Sequence, residues 1–157
     1  MATGDLIEQV LDAADTSSAS VIDALHDLLD DSTIDERDAP KGIAEVARLL
    51  ALSPHTLRYY EQEGLLLPAR NASGYREYSA FDMRRLVFLT RMRLSGMTMH
   101  DLKRYIALVE QGPATVAERR RIMLDQRDRI TAKLRELTLA LETTEYKIRT
   151  YGGSPNG

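Results

Sequence analysis

The residues best equipped for chemistry in this chain are hydrogen-bond donors gathered in two short stretches. His55, Thr56, Arg58, Tyr59 and Tyr60 follow Ser53-Pro54, and Arg70, Tyr75, Arg76 and Tyr78 surround Asn71-Ala72-Ser73-Gly74. Guanidinium forks, hydroxyls and an imidazole suit phosphate oxygens and the base edges of a DNA groove. Catalysis finds little support. The chain has no Gly-rich phosphate loop, nucleophile elbow or paired-carboxylate motif. His26, His55 and His100 are scattered without metal-ligand spacing. With no cysteine, disulfides, thiolate metal sites and thiol redox sensing are excluded. No enzyme activity, cofactor or metal is expected.

The donors need elements that aim them. Ile43, Val46, Ala47 and Leu50 have helical i, i+3, i+4, i+7 spacing. Ser53 is a good helix N-cap, and Pro54 suits the first helical position. Two short helices joined by Ala51-Leu52-Ser53 predict a helix-turn-helix, with His55, Thr56, Arg58 and Tyr59 displayed by the second helix. Leu65–Pro68 and Tyr75–Tyr78 read as two short strands around a turn-rich loop, so residues 65–78 form a wing. A helix is predicted from Ala80 to about Leu94, with Phe81, Leu86, Phe88 and Leu89 available for the core. Gly96 breaks it, and Met99–Glu110 makes another helix, ended by Gly112-Pro113. Arg91, Arg93, Lys103 and Arg104 flank Gly96 as a second wing or a solvated basic face.

The net charge of −3 hides an asymmetry. The first 38 residues carry eleven carboxylates against Arg37 alone, while the rest carries 20 basic and 13 acidic side chains. An acidic arm is therefore fused to a body with the charge that a phosphate backbone needs. Within the arm, Leu6, Ile7, Val10, Leu11 and Ala14 share one helical face, as do Val21, Ile22, Leu25, Leu28 and Leu29. Two short amphipathic helices follow, joined to the body by the polar stretch 30–40. They are too short to stand alone and must dock on something. Met123, Ile130, Leu134, Leu137, Leu141, Ile148 and Tyr151 then recur at three- and four-residue steps, interrupted at Arg127 and Thr144. That pattern predicts one long coiled-coil helix over 115–151. Residues 152–157 read as a disordered tail. No run approaches the ~20 apolar residues of a membrane span. The acidic N-terminus lacks the basic start of a signal peptide. An intracellular protein is expected.

Residues 41–105 resemble the DNA-binding head of MerR-family transcription regulators. The matching residues are Ile43, Glu45, Val46 and Ala47, then Leu52-Ser53-Pro54, and Thr56 through Glu61. Gly64-Leu65-Leu66, Arg70, Ser73 through Arg76, Tyr78, Phe81-Asp82, Leu86, Phe88, Gly96-Met97 and Asp101-Leu102 continue the match. The resemblance implies a mainly α protein, a winged helix-turn-helix head at 39–112 after the acidic extension 1–38. It also implies that the helix over 113–151 pairs antiparallel with a partner copy through Met123, Ile130, Leu134, Leu137, Leu141 and Ile148. A homodimer would bind a pseudo-palindromic site in promoter DNA, and bend and untwist it so that RNA polymerase engages. Such a protein is cytoplasmic and associates with the nucleoid.

Several readings stay open at this point. Arg58 either contacts DNA or pairs with Glu61 or Glu63, and Tyr60 either reaches a phosphate or packs in the core. Tyr75 or Tyr78 contacts DNA or forms a cross-strand pair. The chain departs from sensing members of the family. It lacks the cysteines of metal and redox sensors, and it stops six residues past Tyr151 where drug sensors add a ligand domain. Any small-molecule effector is therefore unidentified. The arm is an electrostatic inhibitor of the head, a docking segment for polymerase or another protein, extra packing for the coiled coil, or a solvated tail. The rival function is an architectural DNA-bending or recombination-accessory protein.

Overall fold

The computed structural model describes residues 1–152; the expected tail lies, from residue 153 onward, outside the described residues. The chain divides into two compact units, Met1–Leu94 and Ser95–Gly157. The architecture is mainly helical, with one small sheet. No helix of the described residues is long and apolar enough to cross a membrane.

The first unit opens with α1 (Thr3–Leu11) and α2 (Ala19–Leu29). Their inward residues are buried: Leu6, Ile7 and Val10 on α1, Val21, Ala24 and Leu28 on α2. The acidic arm is thus folded, which excludes the solvated tail. Its helices pack on each other and on α5 (Ala80–Leu94), and α1 also packs on α3 (Ile43–Leu49).

A single side chain of α5 ties the arm down. Arg84 is 2% exposed. Its Nε donates to Thr3 Oγ1 at 3.0 Å; Nη1 donates to Asp27 O at 2.7 Å and Asp30 O at 3.1 Å; Nη2 donates to Thr33 O at 3.2 Å. Asp27 O and Asp30 O lie at the C-terminal end of α2, where carbonyls lack helical partners and the helix dipole is negative. Arg84 therefore caps α2 from another element. The linker contributes a second tie: Asp38 Oδ2 accepts from Thr3 N–H at 3.0 Å. α1 has no side-chain cap of its own, and this carboxylate takes that place.

The helix-turn-helix follows as α3 and α4 (Pro54–Gln62). α3 ends with Leu52 N–H on Ala47 O at 2.9 Å and Ala51 N–H on Arg48 O at 3.3 Å. This is the Schellman arrangement, whose left-handed position normally takes glycine. Here it holds Ala51, at φ +53°, the one non-glycine with positive φ among the described residues. α4 starts as expected: Ser53 Oγ accepts from Thr56 N–H at 3.1 Å, and Pro54 opens the helix. α4 ends in the same arrangement at Gly64 (φ +76°), with Leu65 N–H on Tyr60 O at 3.0 Å.

The sheet differs from the expected two strands. It has three, in the order β1-β3-β2: β1 (Lys41–Gly42), β2 (Ala69–Arg70) and β3 (Arg76–Tyr78), antiparallel throughout. Leu65–Pro68 is not a strand. Leu65, Leu66 and Pro68 are buried while Leu67 is exposed, and the segment pairs with neither neighbouring strand. Phe81 also departs from expectation. It is 40% exposed, and the Arg85 guanidinium lies 4.8 Å from its ring centre. α5 itself begins with a reciprocal cap, Ser79 N–H to Asp82 Oδ2 and Asp82 N–H to Ser79 Oγ.

The second unit contains α6 (Met99–Glu110) and α7 (Val116–Thr150). Leu102, Ile106 and Leu108 of α6 are buried with Ile122 of α7. Gln126 is 2% exposed and donates to Ser95 Oγ at 2.9 Å. Beyond Ile130 nearly every side chain of the long helix is exposed.

Replacing Arg84 by Met would leave the carbonyls of Asp27, Asp30 and Thr33 without their buried donor. The expected cost is about 3 kcal/mol, read as a lower urea midpoint. Proteolysis should become fast at 30–40 while 41–94 stays protected. An unchanged midpoint would refute the latch.

Candidate nucleic-acid interface

The donors of α4 divide by burial. His55, Arg58 and Tyr59 are exposed, and Thr56 is half-buried, its hydroxyl 2.9 Å from Ser53 Oγ. Leu57 and Tyr60 are buried on the opposite side, at 0% and 5%. Adjacent residues of a helix point apart, so Tyr59 and Tyr60 separate, their ring centres 6.2 Å apart. Burial pushes the Tyr60 hydroxyl up from its ordinary pKa, offset in part by Arg93.

The wing is the β2–β3 hairpin, and its tip is built by local hydrogen bonds. Asn71 Oδ1 accepts from Ser73 N–H and Tyr75 N–H, both at 3.0 Å, and Gly74 takes φ +84°. This Asx-type turn was legible from an Asn three residues before a Gly. Arg70 Nη1 donates across the loop to Gly74 O at 2.9 Å. Tyr75 is 72% exposed at the tip.

Arg76 joins the two donor stretches. Its Nε donates to Glu61 Oε2 of α4 at 2.6 Å, with the side chains 23% and 16% exposed. Glu61 thus pairs with the wing. A cleft of about 310 Å³ lies between the start of α3 and the wing, with Arg70, Tyr75 and Arg76 among its walls. Two guanidiniums beside a cleft suit a phosphate.

Tyr78 is placed differently from expectation. It is 0% exposed, its hydroxyl has no hydrogen-bond partner, and burial pushes its pKa up. Its position in β3 turns it into the core beneath the sheet, so it supports the wing from below. It and Tyr60 belong with the scaffold. The structure therefore brings His55, Thr56, Arg58, Tyr59, Arg70, Tyr75 and Arg76 together on α4 and the wing. Among the described residues, no group of His, Asp and Glu side chains could hold a metal ion.

The family model described as MerR HTH family regulatory protein matches residues 42–108. The HTH-type transcriptional regulator HmrR of Rhizobium leguminosarum bv. viciae is 35% identical over 113 residues, spanning 72% of this chain and 88% of the relative. Among solved structures, HiNmlR, a MerR family regulator lacking the sensor domain and bound to promoter DNA, superposes with a TM-score of 0.67. It is 29% identical and covers 71% of this chain and 90% of its own. A MerR family regulator from Listeria monocytogenes gives a TM-score of 0.65 at 32% identity, covering 71% and 85%. These relatives are transcriptional regulators, a non-enzymatic class. With the winged helix-turn-helix, the long terminal helix and this extent of shared sequence, the chain belongs to the MerR family of transcriptional regulators.

Proposed function

We propose that this regulator works as a homodimer that reads a pseudo-palindromic promoter site and acts by bending and untwisting it. The observation that carries the reading is the Arg76–Glu61 tie, which fixes the wing to α4 while leaving His55, Arg58 and Tyr59 exposed. α4 supplies base-edge and phosphate donors to a major groove, and the wing supplies phosphate contacts beside it. The promoter-bound state of HiNmlR supports the same use of the head.

The dimer rests on α7. Leu134, Leu137 and Leu141 are 59%, 58% and 57% exposed, and Ile148 is 39% exposed. A lone helix with such a stripe needs a partner. Met123 and Ile130, half-buried, continue the stripe toward α6. Two heads held apart by paired helices match a symmetric site and can strain the DNA between half-sites. The stripe also favours the regulator over an architectural DNA-bending protein, which needs no long dimer helix. RNA polymerase is the natural beneficiary of the bent promoter, at the nucleoid in the cytoplasm.

Three outcomes test this reading, beginning with Arg58→Ala. It should weaken binding to a fragment of the protein's own promoter by about 1–3 kcal/mol in fluorescence anisotropy. Unchanged affinity would sink the interface. Repeating the titration across salt concentrations separates the two wing arginines. Arg70→Ala should reduce the salt slope by about one. Arg76→Ala, already neutralised by Glu61, should change the slope less and lower the thermal midpoint instead. Finally, Leu137→Asp should convert a dimer to a monomer in sedimentation velocity, since each copy buries a leucine worth about 1.5–3 kcal/mol. A dimer that survives this change would move the interface elsewhere.

A further inference from the structure

The arm does more than cover α5: with the head it walls a second cleft, of about 240 Å³. Its walls are Leu11 from α1, the turn at 50–52, and Val87, Thr90, Arg91 and Leu94 from α5. The lining is mostly aliphatic, with two polar exceptions on adjacent positions of α5. Thr90 Oγ1 is buried and has no hydrogen-bond partner. Arg91 is the one charged residue of the lining. A buried hydroxyl without a partner is a cost that native structures rarely leave standing. No carboxylate lines the cleft; Asp12, next to Leu11, is exposed and not among its walls.

From this geometry we infer that the cleft is a binding site for a small monocarboxylic acid with an apolar body. The carboxylate takes the Arg91 guanidinium, and the body lies on Leu11, Leu52 and Val87. The volume equals roughly eight water volumes, room for a short aliphatic or single-ring acid. Charge complementarity decides the class. An uncharged ligand leaves Arg91 unmatched, and a cation meets it with the wrong sign.

The site has a lever. Leu50, Ala51 and Leu52 form the turn that joins α3 to α4, and Ala51 holds it in a left-handed conformation that disfavours a non-glycine residue. A ligand bridging α1 to that turn bears on the entry angle of α4. This consequence rests on the DNA-binding reading; the binding itself does not, because it is measured on the protein alone.

The test is an amide NMR titration of the full chain with sodium octanoate, and separately with octan-1-ol. Octanoate should give saturable shifts confined to residues around 11, 50–52 and 87–94, and octanol should bind more weakly. Arg91→Gln should weaken octanoate about tenfold, the loss of one charge-assisted pair at 1.4 kcal/mol per decade, and leave octanol unchanged. Leu94→Trp, at a side chain 71% exposed at the mouth, should block both without disturbing the core. Four results would overturn the proposal. They are no saturable shift, octanol binding as well as octanoate, shifts centred on the leucines of α7, or shifts of the same amides on raising protein concentration alone. The last would mean that a second copy covers the cleft.

Discussion

A buried guanidinium matched by carbonyl and hydroxyl oxygens organises the first half of this molecule. Moving Arg84 out of water is costly unless its N–H groups are matched. Here they meet carbonyls at the end of α2, the Thr33 carbonyl and the Thr3 hydroxyl. Each partner comes from the arm, and α5 supplies only the donor. Two short helices that could not persist alone thereby gain both a hydrophobic bed and a cap. The bond network also explains why the linker is not slack: its 3-10 turn at Asp31–Thr33 and its Asp38 both hold positions around α1 and Arg84.

That arrangement changes the meaning of the acidic arm. Eleven carboxylates fused to a basic head invite an electrostatic account, and the charges alone permit it. The fold gives the arm a packing role first, against α3 and α5. Its carboxylates serve local structure where they are seen to bond: Asp38 on Thr3 N–H, Asp15 on Ser17, Asp30 on Ser32 N–H. In the last two, the hydrogen bond from serine lowers the carboxyl pKa. The cleft beside Leu11 exists because the arm is there, so the extension creates a surface that a bare head would lack.

The DNA-facing half uses a different economy of forces. α4 is fixed at its start by Ser53, at its end by Gly64, from beneath by Leu57 and Tyr60, and from the side by Glu61. None of these restraints uses the outward donors His55, Arg58 or Tyr59. The exposed donors are therefore presented by a helix already immobilised, which lowers the ordering cost on binding. Tyr78 follows the same logic, filling the space beneath the sheet.

Much of this was readable from the chain. Ser53-Pro54, the periodicity of 43–50, the breaks at Gly96 and Gly112 and the stripe on α7 are local signals, and the helices they predict are present. The outward donors of α4 were readable too, because helical spacing separates them from Leu57. The sequence failed where the answer depended on residues far away. β1 is two residues long and exists only because β3 offers it a partner. Leu65 and Leu66 looked like a strand because apolar runs do not distinguish a strand from a buried connection. Proximity along the helix offered Glu61 as one alternative partner of Arg58, yet it pairs with Arg76 fifteen residues on. Arg84, a charged residue amid charged neighbours, carried no sign of burial, since its partners lie 51 to 81 positions away. The sequence by itself determined the helices, the local cap at Ser53 and the charge of each half, because those depend on near neighbours. Only the tertiary structure decided which polar groups would be buried together, because burial is a property of space and not of spacing.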